Sequence, residues 1–185
     1  MSKNYNPKIH HRQSMRLKGR DYSQEGHYFV TICTKNKIEC FGEIINGKME
    51  LSEIGKIVNQ CWLEIPKHFP DVTLDEYTIM PNHIHGIIVI NANNDIVGTQ
   101  NFVSLQQTNK FQRVIPRSLG SIIRGFKIGA TKWCRNNNHH EFQWQKSFYD
   151  HIIRDEKSLD KIREYIRNNP SQWELDRNNP ENLYM

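Results

Sequence analysis

The chain has 185 residues, 37% of them hydrophobic and 24% charged, which is the size and make-up of one soluble globular domain with a real core. No apolar run approaches the roughly 20 residues needed to span a bilayer, and the N-terminus, MSKNYNPK, lacks an apolar signal core, so no membrane role is expected and a cytoplasmic location is the default. A net charge of +5 and a pI near 9.0 are compatible with nucleic acid without demanding it.

The cationic excess begins at the start of the chain. Lys3, Lys8, Arg12, Arg16, Lys18 and Arg20, with His10 and His11, fall in a stretch of twenty residues that has no acid. Residues 1–22 therefore read as a basic arm suited to phosphates, although a solvated tail has the same composition. HYFVTICT, residues 27–34, is aromatic and β-branched and predicts a buried strand. Glu43–Ile45 and Lys48–Leu51 flank Asn46-Gly47, a strong hairpin signal. Ser52 is a plausible N-cap for a helix whose apolar stripe runs through Ile54, Ile57, Val58, Cys61, Trp62 and Ile65 and stops at Pro66.

Thr73–Met80 reads as a strand, Pro81-Asn82 as a break, and His83–Ile90 as a second strand. The latter is apolar on both faces beyond the histidines, as the centre of a covered sheet requires. Asn91–Lys110 is polar and aperiodic and reads as a long loop. A helical pattern returns from Ser118 to Arg135, a short aromatic piece follows, and a last helix is expected from near Ser158 to about Asn168, ended by Pro170. The expected organisation is a basic arm over 1–22, a folded domain over 23–173 and a polar tail over 174–185. The fold class is α+β, with a mainly antiparallel sheet and helices packed on it. Cys33, Cys40, Cys61 and Cys134 form no CxxC pair and read as reduced, buried thiols.

Three groups of residues carry candidate chemistry. His83 and His85 are two apart on a strand, so both imidazoles face one side and can reach one ion; a bare HxH is more often structural. Tyr165 and Asn169 are four apart on the last helix and share a face, though a helical tyrosine is usually packing, and Tyr149 is a rival phenol. Arg124, Lys127, Lys132, Arg135 and Lys146, with Trp144 and Tyr149, combine cations and aromatics in the way single-stranded nucleic acid uses them. A solvated helix face has the same residues.

Taken together, these features resemble the REP-associated tyrosine transposases, relatives of the single-tyrosine HUH transposases of small insertion sequences. The resemblance runs from about Arg12 to Trp173. It is carried by RLKGRDYSQEGHYFVTICT, FGEIINGKMELSEIGKIV, EYTIMPNHIHGIIVI, FKIGATKW and WQKSFYDHIIRDEKSLDKIREYIRNNPSQW. It implies a ferredoxin-like sheet with packed helices (the HUH endonuclease fold) and a divalent metal, Mg²⁺ or Mn²⁺, held by His83, His85 and Asn169. In the insertion-sequence relatives, Asn169's place is often a glutamine. The resemblance also implies Tyr165 as the nucleophile, forming a 5′-phosphotyrosine in single-stranded DNA near hairpins. Arg12, Arg16, Lys18, Arg20, Arg124, Lys127, Lys132 and Lys146 are the expected DNA contacts, in a monomer or a homodimer. Two alternatives stay open: a hairpin-binding protein without catalysis, and a rolling-circle initiator or relaxase. A histidine-triad hydrolase fails because Ile87 stands where a third alternating histidine is needed.

Overall fold

The computed structural model describes residues 23–92, 116–180 and 182. Arg12, Arg16, Lys18 and Arg20, and most of the segment read as a long polar loop, lie outside them. Strand β1 (Gly26–Cys33) is followed by a hairpin of β2 (Gly42–Ile45) and β3 (Lys48–Leu51). Asn46 and Gly47 form its turn with φ of 51° and 73°, the left-handed region that this pair tolerates. Helix α1 (Glu53–Leu63) is capped by Ser52, whose hydroxyl accepts the Gly55 N–H at 3.0 Å. Pro66 does not end the helical stretch as expected. It opens a further turn, α2 (Ile65–His68), at a position where its missing N–H costs nothing.

Strands β4 (Val72–Met80) and β5 (His83–Ile90) follow, then α3 (Leu119–Asn136), β6 (Tyr149–Ile153) and α4 (Glu156–Asn168). The main sheet has the order β4-β5-β1-β6, and all of its pairings are antiparallel. β5 is therefore central, as its two apolar faces predicted. One face buries Tyr28, Val30, Ile32, Ile84 and Ile88 against Val58 and Trp62 of α1 and Ile122 and Phe126 of α3. The other buries Phe29, Ile87 and Ile153 against Leu159 and Ile166 of α4. Gly86 lies where Trp62 crosses β5: a Cβ there would stand 2.4 Å from Trp62 Cζ2, so the sheet needs glycine at that point.

Two boundaries differ from the sequence reading. α4 starts two residues before Ser158 because Asp155 is the N-cap. Its carboxylate accepts the Ser158 N–H at 2.8 Å, and Ser158 Oγ reaches its other oxygen at 2.8 Å. Beyond α4, Pro170 opens a 3₁₀ turn over Pro170–Leu175. The chain then folds back and buries Asp176, Asn178 and Asn179, where an irregular polar tail was expected. No helix among the described residues is long and apolar enough to cross a membrane.

Candidate metal centre and nucleophile

Strand alternation places His83 and His85 on the α4 face of the sheet, both fully buried. Their Nε2 atoms lie 3.0 Å apart. Asp176 Oδ2 lies 3.9 Å from His83 Nε2 and 4.0 Å from His85 Nε2. The three side chains offer ligand atoms that all lie within 4.8 Å of one another, a grouping compatible with a divalent ion.

The opposite edge of each imidazole is held from outside. Asn82, at 0% exposure, donates through Nδ2 to the carbonyls of Lys37 at 3.1 Å and Asn178 at 2.9 Å. Its Oδ1 therefore faces His83 Nδ1 at 2.8 Å and must accept from it. That assigns the proton of neutral His83 to Nδ1 and leaves Nε2 a bare lone pair aimed at the shared point. Thr31, the register partner of His85 on β1, places Oγ1 2.9 Å from His85 Nδ1. Such outer hydrogen bonds are what orient imidazole ligands.

Electrostatics keep the pair neutral. Burial, and then the charges of Lys37 and Arg177, push His83 down to about 3. Burial and the neighbouring His83 push His85 well below the ordinary histidine value, against the opposing pull of Asp176. The bare Nε2 of His83, the Nε2 of His85 3.0 Å from it and the Asp176 carboxylate beside both make a nitrogen and oxygen donor set that fits a divalent metal.

Tyr165 projects from α4 toward this cluster. Its Oη lies 3.2 Å from His85 Nε2, and the rings are 5.3 Å apart. The residue is 41% exposed, so the phenol is reachable from solvent. Burial and the Asp176 charge raise its pKa; a hydrogen bond from the Asn169 amide and the Arg177 charge oppose the rise. Asn169 is buried at 3% exposure, and its Oδ1 meets no donor among the described residues. Phe29 forms the floor: it stacks on His85 at 5.4 Å and meets Tyr165 and Tyr149 edge-on at 6.2 and 6.3 Å. Trp173 covers His83 at 6.0 Å.

The position of α4 is set by β4. A bulge between Leu74 and Tyr77 turns out Asp75 and Glu76. Arg163 Nη2 and Nε donate to Asp75 at 2.7 and 3.1 Å, and Arg167 Nη1 reaches Glu76 at 3.4 Å. Both arginines flank Tyr165 on the same helix.

The structure thus brings His83, His85, Tyr165 and Asn169 together. Asp176, Asn82, Thr31 and Asp75 are the participants that sequence reading missed. Arg124, Lys127, Lys132 and Lys146 gather elsewhere, around a groove of about 780 Å³ between α3 and residues 142–148, with Arg135 beside them and Ile123, Phe142, Trp144 and Phe148 as apolar lining. Lys127 differs from the other cations there. Its Nζ is turned inward, donating to the carbonyls of Gln145 at 2.8 Å and Ser147 at 3.2 Å, and burial lowers its pKa to about 8.

No family model matches the sequence. The chain is 50% identical over 177 residues to an uncharacterised protein of Haemophilus influenzae, covering 95% of this chain and 97% of that one, which places the two in one family. It is 25% identical over 151 residues to a second protein of that organism, named as a candidate REP-associated tyrosine transposase, covering 82% of this chain and 73% of the relative. The solved structure of a REP-associated tyrosine transposase bound to a REP hairpin superimposes with a TM-score of 0.58 at 18% identity, covering 85% of this chain and 74% of that one.

Proposed function

We propose that this chain, whose fold is that of the REP-associated tyrosine transposases, is a metal-dependent single-strand DNA endonuclease and strand transferase that acts beside DNA hairpins, with Tyr165 as nucleophile. The observation that carries this reading is the 3.2 Å approach of Tyr165 Oη to His85 Nε2, at the edge of the His83–His85–Asp176 cluster. The ring packs against Phe29 and His85 while the residue stays 41% exposed, and the phenol stands where a bound phosphate would meet both ion and nucleophile.

His83, His85 and Asp176 would hold the metal, with the unpartnered Asn169 Oδ1 as a further oxygen donor. A mixed nitrogen and oxygen set suits Mn²⁺ somewhat better than Mg²⁺. When bound, the ion neutralises and polarises the scissile phosphate. The protein's own groups supply the rest. Phe29 and α4 fix the tyrosine ring, and the Asn169 amide steadies its oxygen as charge develops there. Tyr165 Oη bonds to phosphorus and the P–O3′ bond breaks. The phenolic proton is lost to solvent, and the departing oxygen takes one up as a 3′-hydroxyl. The resulting 5′-phosphotyrosine conserves one phosphodiester-like bond, so the strand can be rejoined without ATP. Arg124, Lys132, Arg135 and Lys146 are the groove cations free to meet phosphates of hairpin-bearing DNA. Acting on DNA, the protein would work in the cytoplasm.

The test is a labelled hairpin oligonucleotide with single-stranded flanks, incubated with the protein and Mn²⁺ or Mg²⁺ and resolved under denaturing conditions. A covalent protein–DNA adduct is expected. It should vanish in Tyr165→Phe and with chelator, and persist in Tyr149→Phe. An adduct that survives Tyr165→Phe would overturn the assignment, and hairpin binding with no adduct at all would leave a binding module.

A further inference from the structure

Arg177 has no role in the chemistry above, yet its place is tightly determined. It directly follows Asp176, and the backbone around it is pinned. Lys37 Nζ donates to the Arg177 carbonyl at 2.9 Å, Asn82 Nδ2 donates to the next carbonyl at 2.9 Å, and the Asn178 N–H donates to Asp176 Oδ1 at 2.5 Å. The side chain is exposed, with its guanidinium carbon 5.8 Å over the ring of Tyr149. Tyr149 abuts Phe29, on which His85 stacks and which Tyr165 meets edge-on. The guanidinium therefore lies at the lip of the site. No carboxylate among the described residues pairs with it. The other nearby cation, Lys37, has its ammonium engaged on the Arg177 carbonyl.

We infer that Arg177 is a second cation of the reaction centre, whose guanidinium grips a phosphate oxygen of the strand being cut. This rests on the proposed strand-cutting role of Tyr165. An exposed arginine that serves only solubility needs neither a pinned backbone nor an aromatic shelf. Guanidinium geometry matches two phosphate oxygens at once, and stacking on a ring removes much of the side-chain freedom that binding would otherwise cost. In-line displacement at phosphorus builds charge on the non-bridging oxygens, and a fixed cation there accelerates the step beyond what the metal provides. The Arg177 charge already acts on both imidazoles and on the Tyr165 phenol, which agrees with a guanidinium close to the reacting atoms.

The full chain and its R177A and R177K variants would be compared on the labelled hairpin oligonucleotide, with Mn²⁺ and DNA both saturating. Three quantities are read: the single-turnover rate of adduct formation, Mn²⁺ affinity by calorimetry, and the slope of log affinity for the oligonucleotide against log salt. R177A is expected to form adduct about a hundredfold more slowly, with Mn²⁺ affinity unchanged and the salt slope reduced by about one. R177K is expected to recover part of the rate. An R177A rate equal to wild type overturns the inference, and so does a rate loss matched by an equal loss of Mn²⁺ affinity, which would mean that Arg177 merely props Asp176. If wild type itself forms no adduct, the strand-cutting role of Tyr165 falls. The salt slope then decides Arg177 alone, and an unchanged slope in R177A removes it as a phosphate ligand.

Discussion

The side-chain oxygen of Asn82 lies 2.8 Å from Nδ1 of His83, and that contact settles which edge of the imidazole is bare. The Asn82 amide cannot be flipped without placing its oxygen against two carbonyls, those of Lys37 and Asn178. The local fold thus sets the histidine tautomer before any ion arrives. Asn82→Ala is expected to weaken Mn²⁺ binding about tenfold to a hundredfold, measured by calorimetry. Loss of three hydrogen bonds, two of them buried, should also lower unfolding free energy by about 1–3 kcal/mol, measured by urea titration of the metal-free protein.

The metal set proposed above differs from the sequence expectation in adding Asp176 to His83, His85 and Asn169. The two oxygen donors can be ranked. Asp176 supplies a full charge 3.9–4.0 Å from both Nε2 atoms, whereas Asn169 supplies a neutral amide that also contacts Tyr165. Asp176→Asn is expected to reduce Mn²⁺ affinity by on the order of a hundredfold, as loss of a ligand carboxylate should. Asn169→Ala should reduce it less and slow adduct formation more. Equal losses of Mn²⁺ affinity in the two variants would make the donors equivalent.

The metal-free protein should be acid-sensitive. His83 is held at about 3 in the folded chain, against about 6.5 when unfolded. Above pH 6.5 the imidazole is neutral in both states and its contribution to stability is fully present. As pH falls from 6.5 toward 3, the unfolded chain takes up a proton that the folded chain refuses, and stability is lost. Between pH 6.5 and 5 one such group removes about 2 kcal/mol, and His85 acts in the same direction. Urea midpoints at the two pH values should fall accordingly, and the fall should shrink in His83→Ala.

The helix carrying Tyr165 is seated by charge pairs. Arg163 grips Asp75 with its Nη2 and Nε, and this pairing holds the Asp75 carboxyl below the usual carboxylate range. Arg163→Ala or Asp75→Ala is expected to slow adduct formation about tenfold to a hundredfold, because small displacements of a reacting group are costly, while Mn²⁺ affinity stays near wild type. The swap Asp75→Arg with Arg163→Asp should restore part of the rate. Independent, additive losses in the double variant would show that the pair does not act as a unit.

Much of this arrangement was legible in the sequence because periodicity is local. The alternation of HIHGIIVI gave a central strand and put both imidazoles on one side. The spacing of Tyr165 and Asn169 gave a shared helical face, and Asn46-Gly47 gave the turn. What stayed hidden depends on contacts between distant segments. Asp176 sits in ELDRNNPEN, a stretch with no period, and its burial follows only from the chain turning back after Pro170. Asn82 read as punctuation between strands because its partners, Lys37 and Asn178, are remote in sequence. The bulge that exposes Asp75 interrupts an otherwise ordinary strand pattern. The helix start near Ser158 hides the Asp155 cap, because both side chains join in it.

Asn82 and Asn178, the two residues that tie the carboxylate segment to the histidine strand, are 96 positions apart. A ribosome must therefore finish every strand of the sheet, and the tyrosine helix as well, before it adds Asp176. A chain ended short of residue 176 would keep the paired imidazoles and lack the carboxylate that lies 3.9 and 4.0 Å from them. The strand-breaking capacity proposed for this cluster would then be completed late in synthesis, on a scaffold already made.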